Sequence, residues 1–148
     1  MPAVLKSQVR EAGYSWAITK DGSLWTWGFN NSGQVGDGTT KSRLTPYRVP
    51  GLTNVKAAGD GWAITGDGSL WTWGFNSDGS VGDGTTKDRL TPYKVPGLTN
   101  VKTIFMDGWT SYALTGDGSM WAWGGNDCGQ VGDGTTTSCL TPYKLQFK

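Results

Sequence analysis

Three carboxylates recur at matched positions of this 148-residue chain. Asp37, Asp83 and Asp133 each stand in a Val-Gly-Asp-Gly-Thr-Thr segment, with Asn30, Asn76 and Asn126 upstream. Oxygen-rich loops raise the question of calcium, which takes roughly 6–8 oxygen ligands. Each loop offers one dependable carboxylate, so the pattern reads as an Asx-type turn in which Asp or Asn bonds nearby backbone. No metal site is assigned. Acid–base catalysis has little to work with, because the chain has no histidine and its acidic residues recur singly at turns. No serine sits in a Gly-x-Ser-x-Gly elbow. The glycine loops are not followed by Gly-Lys-Ser/Thr, so they are not phosphate loops. The expectation is a protein that is not an enzyme and carries no cofactor.

Two cysteines, Cys128 and Cys139, stand where the earlier copies of the segment have Ser32 and Arg43, then Asp78 and Arg89. Asp78 and Arg89 are of opposite charge, which suggests that the two positions face each other across a loop. A disulfide between Cys128 and Cys139 would then replace an ion pair, and two unpaired thiols are the alternative. Two cysteines alone make a poor metal site.

Aromatic residues are the other repeated chemistry. Trp25/Trp27, Trp71/Trp73 and Trp121/Trp123 are spaced by two, which puts both indoles of a pair on one face of a strand. They would serve either as sugar-stacking platforms or, the favoured reading, as packing between sheets. Tyr14, Trp62 and Trp109 lie near a junction between short strands. Tyr14 and Trp109 are the better surface candidates, while Trp16, Trp62 and Tyr112 align and can point into the packing. Aromatic anchors are the usual hot spots of protein interfaces, so Tyr14, Trp62, Trp109 and Tyr112 are the candidate binding residues.

The elements that must position these residues follow from the repeat. Asp21-Gly-Ser-Leu-Trp-Thr-Trp-Gly28 returns at 67–74 and, as Asp117-Gly-Ser-Met-Trp-Ala-Trp-Gly124, at 117–124. Leu-Thr-Pro-Tyr occurs at 44–47, 90–93 and 140–143. Residues 21–56 and 67–102 differ only at Asn31/Ser77, Ser32/Asp78, Gln34/Ser80, Ser42/Asp88 and Arg48/Lys94. The 24 glycines are about twice the usual share of roughly 7%, and they punctuate turns. No stretch has the apolar period of a helix.

In the second copy the expected strands are Val55–Ala58, Trp62–Thr65, Leu70–Trp73 and Pro92–Val95. Asp67-Gly68 forms a hairpin turn and 76–86 a glycine-rich loop. Pro92 argues for an edge position in its sheet. Four strands per repeat of 40–50 residues is the propeller signature. The third copy is four residues longer between Val101 and Trp121 than the second is between Val55 and Trp71. Either the first two strands or their turn must absorb that difference.

The pattern Val-Lys…Ala-Leu-Thr-x-Asp-Gly-x-x-Trp-x-Trp-Gly-x-Asn-x-x-Gly-Gln-x-Gly-Asp-Gly-Thr…Thr-Pro, fullest from Val101 through Pro142, resembles the regulator of chromosome condensation (RCC-type) repeat. The resemblance covers nearly the whole chain. It implies a β-propeller, usually of about seven blades, and functions that are mostly binding. Members include a nucleotide-exchange factor docked on chromatin, β-lactamase-inhibitory propellers and cell-surface proteins. The family's usual histidine is replaced by Thr110 in the third copy, and there are three repeats.

The expected fold is therefore all-β, a β-propeller with three four-stranded blades in a single domain, 1–148. Blade 1 is about 1–50, blade 2 about 51–96 and blade 3 about 97–148. Met1 to Val9 aligns with Tyr47 to Val55. Propellers typically have roughly 4–8 blades, so the ring is expected to close with a second copy as a homodimer. A trimer of about nine blades is less favoured, because it exceeds that range. The leading function is a protein-binding or scaffold module that self-assembles, with another protein as a second partner. The alternatives are a multivalent, lectin-like carbohydrate binder and a designed or evolutionary-model propeller fragment without a ligand. With 13 basic against 12 acidic side chains and no basic stripe, nucleic acid is not expected as a partner. No apolar run approaches the ~18 residues of a membrane span, so no membrane is expected either. Residues 1–10 lack the apolar core of a signal peptide.

Overall fold

The computed structural model describes residues 8–147. Blade 1 comprises β1 (Val9–Gly13), β2 (Trp16–Thr19), β3 (Leu24–Gly28) and β4 (Arg43–Arg48). Blade 2 repeats it as β5 (Val55–Gly59), β6 (Trp62–Thr65), β7 (Leu70–Gly74) and β8 (Arg89–Lys94). Blade 3 is β9 (Val101–Asp107), β10 (Thr110–Thr115), β11 (Met120–Gly124) and β12 (Cys139–Lys144). Each blade is an antiparallel meander whose spatial order follows the chain. No helix occurs among the described residues, hence none that could cross a membrane. Of the segment 1–9 expected to align with 47–55, residues 1–7 lie outside the described residues.

The hairpin between the second and third strands is set by one aspartate per blade. Asp67 Oδ1 accepts from Thr65 Oγ1 at 2.7 Å and from the Ser69 N–H at 3.1 Å. Those bonds hold its carboxyl below the usual carboxylate range. Gly68 follows with φ +84°, and a Cβ there would lie 2.7 Å from Asn100 Cα of the next blade. The turn thus requires glycine twice over, for conformation and for space.

The fourth strand begins earlier than expected, at Arg89 rather than Pro92. Thr72 pairs with Tyr93, but Gly74 pairs with Arg89, so Leu90, Thr91 and Pro92 together oppose Trp73. This bulge takes up the proline, which has no ladder hydrogen to give, and β8 is an edge strand.

Blade 3 absorbs its four extra residues in the strands. β9 and β10 are each two residues longer than β5 and β6, while both hairpins keep a two-residue turn. The tip, Gly108-Trp109, therefore reaches beyond the tips of the other two blades.

The cores lie between blades. One cluster joins Ile18, Leu24, Val49 and Leu52 of blade 1 to Val55, Ala58, Ala63 and Trp73 of blade 2. A second joins Ile64, Leu70, Val95 and Leu98 to Val101, Ile104, Ala113 and Trp123. Trp71 and Trp121 pack against the same clusters, so both tryptophan pairs face the preceding blade. The indoles of Trp71/Trp73 and Trp121/Trp123 are thus used in inter-blade packing.

Candidate functional site

The loop after the third strand is organised by a buried asparagine. Asn76 Oδ1 accepts from the Val81 N–H at 2.9 Å. Its Nδ2 donates to Asp83 Oδ1 at 3.1 Å and to the Thr85 and Lys87 carbonyls at 3.1 and 2.8 Å. Asn30 and Asn126 repeat this geometry. Asp83 Oδ1 is also taken by the N–H and hydroxyl of Thr85, and Oδ2 by Arg89 Nε at 2.8 Å. In blade 1, burial pushes the Asp37 carboxyl up. The Arg43 guanidinium and the Thr39 and Asn30 donors outweigh it and hold the pKa at about 2. Both carboxylate oxygens of Asp37 and Asp83 are engaged in fixing the loop, and Asp133 does so through Oδ1. No cluster of three or more metal-ligating side chains exists among the described residues.

The Asp78–Arg89 pairing expected from charge is not made. Arg89 is held by Asp83, six residues upstream, and its guanidinium lies over the Tyr93 ring at 4.3 Å. Arg43 does the same with Asp37 and Tyr47. Cys139 occupies this arginine position in blade 3, so the group it replaces is the partner of Asp133, not of the residue at Cys128. Both thiols are free. Burial pushes the Cys139 thiol up, and Sγ lies 3.1 Å from the Thr141 carbonyl. Cys139→Arg is expected to raise the thermal midpoint by restoring the ion pair to Asp133 and the cover over Tyr143. A melting curve unchanged or lowered by the substitution would refute this.

The surface that stands out is the end of the blades carrying the tips of the first hairpins. Tyr14 is 91% exposed, Phe29 67%, Trp109 59% and Phe75 40%. Two hollows lie at the blade junctions there. One, of about 250 Å³, is lined by Tyr14, Trp16, Phe29, Gln34 and Asp60 among others. The other, of about 220 Å³, is lined by Asp60, Trp73, Phe75, Met106 and Trp109 among others. The long hairpin of blade 3 brings Trp109 over blade 2, with its ring 6.5 Å from that of Phe75. Asp60 belongs to both hollows, and partial desolvation pushes its carboxyl up.

Of the four aromatic candidates, the structure brings Tyr14 and Trp109 to this face. Trp62 is half-buried against the second core cluster. Its indole covers Gly59, where a Cβ would meet Nε1 at 2.4 Å. Tyr112, at the same position in blade 3, stacks on Phe105 at 5.1 Å and donates its O–H to the Gln130 carbonyl. Phe29, Phe75, Met106 and Asp60 were missed by sequence reasoning. The available signal was the phenylalanine that follows Gly28 and Gly74, outside any strand.

A family model described as the regulator of chromosome condensation (RCC1) repeat matches residues 21–65, 67–114 and 117–148. The chain belongs to the RCC1 repeat family. Each matched repeat starts at an Asp-Gly turn or next to it, so the first runs through β3, β4, β5 and β6. An RCC1 sequence repeat thus straddles two blades, and the inter-blade seam is encoded within one repeat.

Among curated relatives, the chain is 46% identical over 41 residues to Protein RCC2 homolog of Danio rerio. It is 44% identical over 43 residues to human Protein RCC2. These matches cover 28% and 29% of this chain and 8% of each relative. Among solved structures it resembles human WBSCR16, with a TM-score of 0.74 and 25% identity over 89% of this chain and 37% of that one. It also resembles Prp20p of Saccharomyces cerevisiae, with a TM-score of 0.81 and 22% identity over 95% of this chain and 39% of that one. That structure was described with the binding properties of Prp20p to Gsp1p and histones, and another shows it bound to Kap60. RCC1-type propeller architecture is thereby established for the three blades.

Proposed function

We propose that this RCC1-repeat chain is a non-enzymatic protein-binding module that forms a closed propeller with a second copy and offers its hairpin-tip end to another protein. The observation carrying the second half is the row of exposed aromatic residues, Tyr14, Phe29, Phe75 and Trp109, set around two hollows. Large exposed aromatics at the mouths of shallow pockets suit partner side chains, and such anchors dominate interface energetics. The binding of Gsp1p, histones and Kap60 by a protein of the same fold supports protein partners as the class.

The test uses purified core histones, a Gsp1p-type GTPase and a Kap60-type carrier as probes, with a glycan array alongside. The wild type is expected to bind a protein probe. Phe75→Ser and Trp109→Ser should each weaken that binding by about 30-fold, the loss typical of a hot-spot aromatic. Equal binding by wild type and both variants would remove the end face from the proposal. Retention on glycans, released by a simple sugar, would replace it with the carbohydrate reading.

A further inference from the structure

The chain makes the same joint twice. At the seam of blades 1 and 2, the Trp73 Nε1–H donates to the Gln34 carbonyl at 2.8 Å. At the next seam, Trp123 Nε1–H donates to the Ser80 carbonyl at 2.8 Å. Leu90 presses on Gly33 so closely that a Cβ there would lie 2.5 Å from Leu90 Cδ2, and Leu140 presses on Gly79 at the same distance. The Gly38 N–H donates to the Leu90 carbonyl and the Gly84 N–H to the Leu140 carbonyl, both at 2.8 Å. In each case the preceding blade supplies the glycines and the acceptor for the indole, and the following blade supplies the tryptophan and the leucine.

Among the described residues, the two outer faces leave the two halves of this joint uncovered. On blade 1, Leu44 is 95% exposed, whereas Leu90 and Leu140 are half-buried. Trp27 is half-buried, whereas Trp73 and Trp123 are 3% and 0% exposed. On blade 3, Gly129 and Gly134, the counterparts of Gly33 and Gly38, have nothing within 4 Å of a built Cβ. Leu114 there is 37% exposed, whereas its counterpart Ile64 is at 4%. The Gln130 carbonyl, counterpart of Gln34 and Ser80, already accepts the Tyr112 O–H at 2.8 Å. That does not close the site, because a carbonyl has two lone pairs and Ser80 takes two donors, Trp123 and Ser111. A Cβ built on Gly132 would lie 3.2 Å from Leu145 Cδ2, so Leu145 would have to turn aside for the indole.

We infer that blade 3 of one copy receives blade 1 of a second copy through this joint, with the Trp27 N–H on the Gln130 carbonyl and Leu44 seated over Gly129. The occupant is a second copy because both halves of the lock belong to this chain. The contact is head-to-tail, and a two-fold ring contains it twice. The inference rests on the self-assembly reading above and supplies its contacts.

The experiment is solution mass by light scattering on a size-exclusion column, at two concentrations, for wild type, Leu44→Glu, Trp27→Phe and Phe75→Ser. Wild type and Phe75→Ser are expected at dimer mass. Leu44→Glu puts a carboxylate in place of a half-buried leucine at both joints of the ring and should raise the dimer dissociation constant at least about 30-fold. Its far-UV spectrum should be unchanged, because Leu44 is exposed in the single chain. Trp27→Phe keeps the ring packing but loses two N–H donors, for an expected weakening of about 10- to 30-fold. This second variant decides the matter if Leu44→Glu does not fold. Wild type at monomer mass at both concentrations would overturn the self-assembly reading and the joint together. A wild-type dimer that both variants leave intact would overturn the joint alone. A wild-type trimer dissociated by both would uphold the joint and change the copy number.

Discussion

Asn76→Ala is expected to cost about 4 kcal/mol of folding stability. The buried Val81 N–H would lose its acceptor, and a buried donor left unpaired costs roughly 1–3 kcal/mol by itself. The Thr85 and Lys87 carbonyls and Asp83 Oδ1 lose the same amide, so the loop that aims Asp83 at Arg89 is released. Asn76→Asp should be nearly as harmful, since it sets a carboxylate beside Asp83 and still lacks the donors. Urea unfolding followed by tryptophan fluorescence measures the effect. A loss below about 1 kcal/mol would show that the loop holds without its amide.

Trp123→Ala is expected to lose about 3–5 kcal/mol, the range for truncating a buried aromatic. Trp123 is fully buried, belongs to the second core cluster and bridges blades through the Ser80 carbonyl. A Cβ built on Gly82 would lie 2.9 Å from its Nε1, so the loop is already against the indole on that side. The matched control is Trp27→Ala, the same residue at the same strand position. In dilute single chains Trp27 is half-buried where Trp123 is fully buried, so its truncation should cost markedly less. Similar losses for both variants at concentrations where the chain is monomeric would contradict this packing account.

The strand pattern was legible in the sequence because its causes are local. Alternation in Leu70-Trp71-Thr72-Trp73 places side chains on two faces whatever lies beyond them, and Asp67-Gly68 makes its turn with Thr65 and Ser69 alone. Pro92 marked an edge for the same reason. The start of β8 was less legible, because the bulge that admits Leu90, Thr91 and Pro92 opposite Trp73 depends on β7.

The candidate site was only partly legible. Tyr14 and Trp109 could be placed near hairpin tips from their neighbours. Phe29 and Phe75 sit in loops, where no periodicity says which way a ring points. The ion pair was misassigned because charge and loop length allow Asp78 or Asp83 to meet Arg89. The choice is made by Asn76, whose amide folds the loop so that Asp83 lies inside it.

By itself, the sequence determined the number of blades in this chain, four strands in each, the turns between them and the family. Each depends on residues within one repeat, and the repeat is written three times. Only the tertiary structure decided which aromatics are spent between blades and which stand free, and which acid each arginine meets. It alone showed that Leu44 is exposed and Gly129 uncovered, whereas Leu90 and Gly33 meet each other across a seam. Those outcomes turn on how one blade's face meets the next, so equal residues in equal repeats end in different surroundings.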